Sequence, residues 1–397
     1  MYFNCSAAGG LNRVLAGAAV LVVSSWAAAD ILHVPGDYRT IQEAIDAAMD
    51  GDEVEVHPGT YNETIDFLGK AISVRSSDGP QVTIIDAQQT GTAVTCNSGE
   101  GPDTVLDGFT VTGGEPSGMR NVGSSPTVTN CTFSGNTAFG GGGDGGGIFN
   151  VNNSNTTVTN CTFSGNSADD RGGGMSNHNS SPTVTNCTFS GNTAPAGGGI
   201  YTTDALGGHS VTMVVNSITW GNSPDEIVDL NGATTTVNYS DVQGGWPGAG
   251  SNNIDADPLF VDPDNGNFRL LSGSPCADAG NNWGVPIDAD DYDQDGNTAE
   301  LFPVDLDGNP RFNADEADFD PGCGVPVVVD MGAYEYQFAP VEEVIFADLN
   351  ADGVVGILDL LGVLAAWGDA KNNCLADLDI DGDVGILDLL TLLSNWG

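Results

Sequence analysis

A ten-residue phrase recurs almost unchanged through the middle of the chain and restricts the fold more than any other feature. Thr-Val-Thr-Asn-Cys-Thr-Phe-Ser-Gly-Asn occupies residues 127–136, 157–166 and 183–192, each time followed by a glycine cluster and an Ile or Met. Looser copies lie upstream and downstream. The first apolar positions of the six units are 106, 128, 158, 184, 214 and 237. Their spacing falls within the range of roughly 20 to 50 residues that marks stacked repeat architectures. A unit of this length cannot bury its apolar face alone and must stack on its neighbours, which is the logic of a solenoid. β-Branched and aromatic residues between Gly and Asn punctuation exclude a helix within the unit.

The phrase also predicts which side chains turn inward. Val128, Cys131 and Phe133 share one face, as do Val158, Cys161, Phe163 and Val184, Cys187, Phe189, while the intervening threonines face out. The alternation slips by one at Asn130, Asn160 and Asn186. Asn tolerates left-handed backbone and bonds to its own main chain, so each slip predicts a bend between two short strands. Stacked units then place Asn on Asn, Phe on Phe and Cys on Cys, which makes the cysteines packing groups. The expected fold is an all-β right-handed parallel β-helix over residues 30–253. Ahead of it, Ile41, Ala44, Ile45 and Ala48 fall at helical spacing and suit a plug for the open end.

Several segments carry family resemblances. Val34-Pro-Gly-Asp-Tyr-Arg-Thr-Ile-Gln-Glu-Ala-Ile-Asp46, with Gly59-Thr-Tyr61 and Gly69-Lys-Ala-Ile-Ser-Val-Arg75, resembles the opening coils of pectin-methylesterase-like proteins of the pectin-lyase-like fold. The Asn-Cys-Thr-Phe-Ser-Gly-Asn units are similar to the repeats of polymorphic outer-membrane adhesins. Asp257-Pro-Leu-Phe260, Ser274-Pro-Cys-Ala-Asp-Ala-Gly280 and Asp330-Met-Gly-Ala-Tyr-Glu335 resemble the C-terminal region of secreted bacterial choice-of-anchor Q proteins. This last resemblance implies a β-helix cap over residues 254–340. Such likenesses speak to fold, because a fold does not carry a function with it.

Near the C-terminus the pattern D-x-[ND]-x-D-G-x5-D occurs twice in tandem, beginning at Asp348 and again at Asp377. Calcium needs six to eight oxygens, so carboxylates recur at loop positions 1, 3, 5 and 12, a backbone carbonyl serves at position 7, and a glycine at 6 allows the sharp turn. The first loop offers Asp348, Asn350, Asp352, Val354 and Asp359; the second offers Asp377, Asp379, Asp381, Asp383 and Asp388. Loop two, with its extra carboxylates, is the tighter site on this reading. Each loop runs into an apolar helical stripe ending at Trp367 or Trp396. A module this small buries little core of its own, so the ions hold it folded. Residues 341–397 resemble a type I dockerin, a small α-helical calcium-binding domain, which implies a cohesin-like or other protein partner. Asp291, Asp293 and Asp295 begin a third calcium loop, but position 12 is Phe302, and a plain acidic turn explains them equally well.

Residues 14–23 form an apolar run behind Arg13, followed by Ala27-Ala28-Ala29. The run is too short to span a bilayer and reads as a signal peptide over residues 1–29, so the expected location is secreted, extracellular or at the cell surface. Only 9 Lys and Arg face 54 Asp and Glu, a negative field that excludes nucleic acid and anionic membranes as partners. Of Cys96, Cys276, Cys323 and Cys374, a Cys276 to Cys323 bridge is the pairing to test.

Candidate catalytic residues are Asp144, Asp169, Asp170 and Arg171, all in turns after the repeated phrase. Two carboxylates beside an arginine suit β-elimination or acid/base cleavage of a glycan. The third repeat has only Pro195-Ala196 at this turn, which favours solvated loop variation. His33, His57, His178 and His209 show no metal-ligand or triad spacing. Three readings stand: a polysaccharide- or surface-binding solenoid tethered by its tail, a carbohydrate-active enzyme on the same scaffold, and a purely structural or adhesive surface protein. Catalysis demands a convergent, nonrepeating charged cluster, whereas binding needs only repeated polar side chains.

Overall fold

The computed structural model describes residues 29–140, 143–204, 210–288, 298, 300–312, 328–337, 360, 364 and 389. Residues 1–28 of the expected signal peptide, both expected calcium loops, the acidic turn at 291–297, His209 and Cys323 lie outside the described residues.

Three parallel sheets wind into a right-handed β-helix. The first has ten strands, from Ile31–Val34 through Thr127–Thr129, Thr157–Thr159 and Thr183–Thr185 to Ala249–Ser251. The second has eight, among them Thr132–Ser134, Thr162–Ser164 and Thr188–Ser190. The third has seven, including Met119–Val122, Ile148–Val151, Met175–His178 and Ile200–Thr203. Register is strict: Val128 pairs with Val158 and Val158 with Val184, and Phe133, Phe163 and Phe189 align in the same way. A short helix, Ile41–Ala47, is capped by Thr40, whose side chain accepts from Glu43 N, and buries Ile41, Ala44 and Ile45 against the first strands.

The inward residues stack as the repeat predicts. Phe133 and Phe163 ring centroids lie 5.0 Å apart, Phe163 and Phe189 4.3 Å, both pairs with 4° between planes. Cys131, Cys161 and Cys187 are free and buried; the sulfurs of Cys161 and Cys187 each accept the backbone N–H of the cysteine one coil earlier. Asn130, Asn160 and Asn186 take positive φ of 50°, 54° and 51°, the left-handed bend that lets a strand of the first sheet turn into one of the second. A further ladder runs inside the coil. Asn166 donates from Nδ2 to Phe133 O and Asn192 Oδ1, while its Oδ1 accepts from the backbone and side chain of Asn136, all between 2.9 and 3.1 Å.

One expectation fails. Thr129, Thr159, Thr162, Thr185 and Thr188, read as outward, are buried. The described residues between 254 and 337 run back over this outer surface and cover it. An antiparallel pair, Phe260–Asp262 with Asn267–Leu270, packs Phe260, Phe268 and Leu270 into a cluster with Ile218, Met331 and Tyr334. The same segment bonds to the outer Asn ladder: Asn216 and Asn281 exchange two hydrogen bonds of 2.8 and 3.0 Å, and Asn160 donates to Val304 O at 2.7 Å. Arg311, fully buried, reaches Asn160 Oδ1, Ala333 O and Glu335 Oε2. Cys276 is a free thiol that donates to Asp241 Oδ2 at 3.2 Å; Cys323, the partner singled out for test, lies outside the described residues.

The inner ladder yields a direct test. Replacing Asn166 by Ala leaves Phe133 O and the Asn136 amides without their buried partner, and each unmatched group costs about 1–3 kcal/mol. Chemical denaturation of Asn166→Ala should show a loss of roughly 2–4 kcal/mol, against under about 1 kcal/mol for an exposed Asn such as Asn97.

Candidate functional site

On the outer face of the third sheet the repeat breaks its own pattern. Strand register lines up Arg120, Phe149, Ser176 and Tyr201 across four coils, with His178 two residues beyond Ser176 on the same face. Ahead of each strand the glycine cluster doubles the chain back onto that face. A Cβ on Gly145 (φ 71°) would stand 2.5 Å from Ile148 O and 2.8 Å from Phe149 Cβ, and one on Gly172 (φ 65°) would stand 2.4 Å from Met175 O. Only glycine permits so close an approach in this conformation. The folded-back turns stack in parallel, Asp144 beside Arg171 and Arg171 beside Ala196.

This arrangement delivers side chains from separate coils to one place. Asp144 Oδ2 lies 3.5 Å from His178 Nε2, with the two side chains 8% and 14% exposed, and Arg171 Nη2 lies 3.4 Å from Asp170 Oδ2. The Arg171 guanidinium sits over the Tyr201 ring at 5.5 Å, and the His178 ring meets Phe149 edge-on at 5.2 Å. Arg120 lies over the other end of this patch, 5.7 Å from the Phe149 ring. Asp144 Oδ1, His178 Nε2 and Ser176 Oγ are buried polar atoms with no hydrogen-bond partner in the chain. Native interiors seldom leave such groups unmatched without a ligand or water in view.

Burial governs the charges. It pushes the Asp144 carboxyl up to about 6, partly opposed by Arg171 and reinforced by Asp170. It pulls His178 down to about 4, with Arg171 acting in the same direction and Asp170 against it. Between those values both groups are uncharged, and near pH 7 Asp144 is ionised beside a neutral imidazole. Arg171, half-exposed, offers its remaining N–H groups to a carboxylate or a pair of hydroxyls.

Of the four residues singled out in the turns, the structure gathers Asp144, Asp170 and Arg171. Asp169 is different: its Oδ2 accepts from Gly140 N at 3.2 Å and fastens the neighbouring turn. His178 joins the cluster although its sequence spacing gave no sign of it, because the contact is made across coils and depends on register. Tyr201 and Phe149, which follow Ile200 and Ile148 after the glycines, gave no sequence signal of their own; their pairing with Arg171 and His178 also depends on register. The residues expected to hold calcium in the two C-terminal loops lie outside the described residues.

A family model described as "Right handed beta helix region" matches residues 70–244. No curated protein matches the chain. Among solved structures, similarity is found to pectate lyase Pel9A, with 14% identity, a TM-score of 0.39, and coverage of 78% of this chain and 97% of that one. A pectin methylesterase from carrot shows 15% identity and a TM-score of 0.35, covering 59% of this chain and 90% of its own. Among the described residues no helix is long and apolar enough to cross a membrane.

The two shifted groups have opposite linkage signs. Asp144, raised when folded, contributes stability that is present below about 4 and lost as pH rises through about 6. His178, lowered when folded, contributes stability that is present above about 6.5 and lost as pH falls through about 4. In the native chain these partly cancel. The Asp144→Asn variant keeps only the second, so its melting temperature should rise more steeply than that of the native chain between pH 4 and 6.5.

Proposed function

We propose that this is a secreted, calcium-binding β-helix protein that binds polysaccharide on the outer face of its third sheet and is tethered by the dockerin-like residues 341–397. The observation that carries the binding reading is the cluster of Asp144, Asp170, Arg171 and His178. It departs from the Thr and Ser of the repeat and gathers around Asp144 Oδ1, Ser176 Oγ and His178 Nε2, buried atoms that make no hydrogen bond within the chain. Hydroxyl-rich ligands suit such a place, since they both donate to Asp144 and accept from Arg171. The flanking Phe149 and Tyr201 supply apolar ring surface of the kind found beside bound small molecules. Strands stacked about 4.8 Å apart give an extended polymer a regular track across the coils. The tether rests on the twin aspartate loops, whose oxygen-rich spacing suits calcium. The acidic composition favours neutral glycans, or anionic ones bridged by calcium.

One feature supports the alternative of a carbohydrate-active enzyme such as a lyase, hydrolase or pectinesterase. Asp144 is held near the pH at which it can both give and take a proton, and it stands next to an imidazole. Binding and cleavage separate in one experiment. The full chain, with calcium or with chelator, is assayed for retention on immobilised neutral and acidic glycans and for release of reducing sugars or unsaturated products. The proposal expects retention without products, weakened about tenfold by Arg171→Ala, the loss of one charge-assisted hydrogen bond. It also expects calcium-dependent capture by a cohesin-like partner. Products that vanish in Asp144→Asn would establish the enzyme instead. Unaltered retention in Arg171→Ala would remove the cluster from the binding account.

A further inference from the structure

The first two strands bring together three side chains that the sequence holds apart. His33 and Glu55 are register partners on adjacent parallel strands, and His57 lies two residues beyond Glu55, on the same face. One donor atom from each of the three lies within 4.8 Å of the other two. Among the described residues this is the one His/Cys/Asp/Glu group of that compactness. Histidines without ligand spacing in the sequence thus acquire it in the fold, because one coil of solenoid sets His33 directly beside Glu55.

Three details point to a metal. First, His33 Nδ1 stands 2.7 Å from Glu55 Oε2, yet the two are not aligned as a hydrogen bond. On a tetrahedral zinc two such donors stand about 3.3 Å apart, so the pair needs to open by about 0.6 Å to seat an ion. Second, the tautomer of His57 is set by its neighbour. Ser77 Oγ gives its one proton to Asp78 Oδ2 at 2.5 Å, so toward His57 Nδ1, 3.2 Å away, it acts as acceptor. That leaves His57 Nε2 with a bare lone pair, the form a metal needs, fixed by the kind of outer partner usual for metal-bound histidine. Third, the group is open to solvent: the His33 and Glu55 side chains are 43% and 29% exposed, and the His33 and His57 ring centroids lie 6.0 Å apart, so an ion can reach all three.

We infer that His33, Glu55 and His57 form a binding site for a borderline divalent transition metal, zinc being the best fit, with three protein ligands and an open position. Two imidazoles and one carboxylate select such an ion over calcium, which takes an all-oxygen shell. The site is therefore chemically separate from the C-terminal loops and independent of the polysaccharide reading.

The test uses the full-length chain in excess calcium, which fills the oxygen sites first. Zinc is titrated by calorimetry and cobalt(II) by visible absorption. The expected result is one zinc equivalent of micromolar or better affinity, and cobalt bands of a low-coordinate site with nitrogen ligands. His33→Gln, Glu55→Gln and His57→Gln should each weaken zinc at least tenfold, and Ser77→Ala, which touches no metal, about tenfold. His178→Gln should leave the titration unchanged. His57 is exposed and His33 and Glu55 are half-buried, and circular dichroism of each variant verifies the fold. Absence of zinc uptake at micromolar concentrations, or full stoichiometry retained in the His33→Gln/His57→Gln double variant, would overturn the assignment.

Discussion

Strict register between successive coils is the constraint on which the rest of this molecule depends. Each strand pairs in parallel with its equivalent one turn away, so identical residues fall on one another: Asn on Asn, Phe on Phe, Cys on Cys. The inner asparagines are the strongest enforcers. An apolar stack tolerates a slip of one residue far better than a side-chain amide that must meet a carbonyl above and an amide below. The ladder ends on Glu226, whose carboxylate takes both amides of Asn222, and burial raises that carboxyl to about 7.

Register also explains how side regions attach. The outer asparagines expose amide edges in a line, and the segment after residue 254 uses that line as a docking surface through Asn281, Val304 and Arg311. Enclosing Arg311 with Glu335 and Asp330 removes charge from water. Burial raises Asp330 to about 7 and lifts Glu335 above the ordinary carboxylate range, while Arg311 pulls both the other way. A buried pair of this kind contributes little net stability, but losing one partner is costly, so it specifies where the segment sits.

Legibility in the sequence followed repetition. Val128, Cys131, Phe133 and Asn130 could be placed because three near-identical copies declared their equivalence, and the helix of Ile41, Ala44 and Ile45 because its spacing is local. The burial of Thr159 and Thr188 could not be read, since the segment covering them is nonrepeating and arrives from a remote part of the chain. Asp169 and Asp170 look alike in sequence, yet one bonds a turn and the other faces Arg171. His178 and Asp144 belong to different coils, and only the doubling-back enforced by Gly145 and Gly172 makes them neighbours. Metal chemistry divided in the same way. The proposed calcium loops are read from contiguous spacing alone, whereas His33, Glu55 and His57 become a group only once the first coil is wound.

The surface that results has two kinds of face: one sealed by the chain's own return, and one on which glycine turns carry charged and aromatic residues into a half-buried cluster. The imidazole of His178 reports both whether that cluster assembles and whether it meets a ligand. Its NMR titration in the full chain should give a pKa of about 4, and added glycan should shift its resonances. A titration at the ordinary value near 6.5, unmoved by any glycan, would contradict both the burial of the cluster and its role in binding.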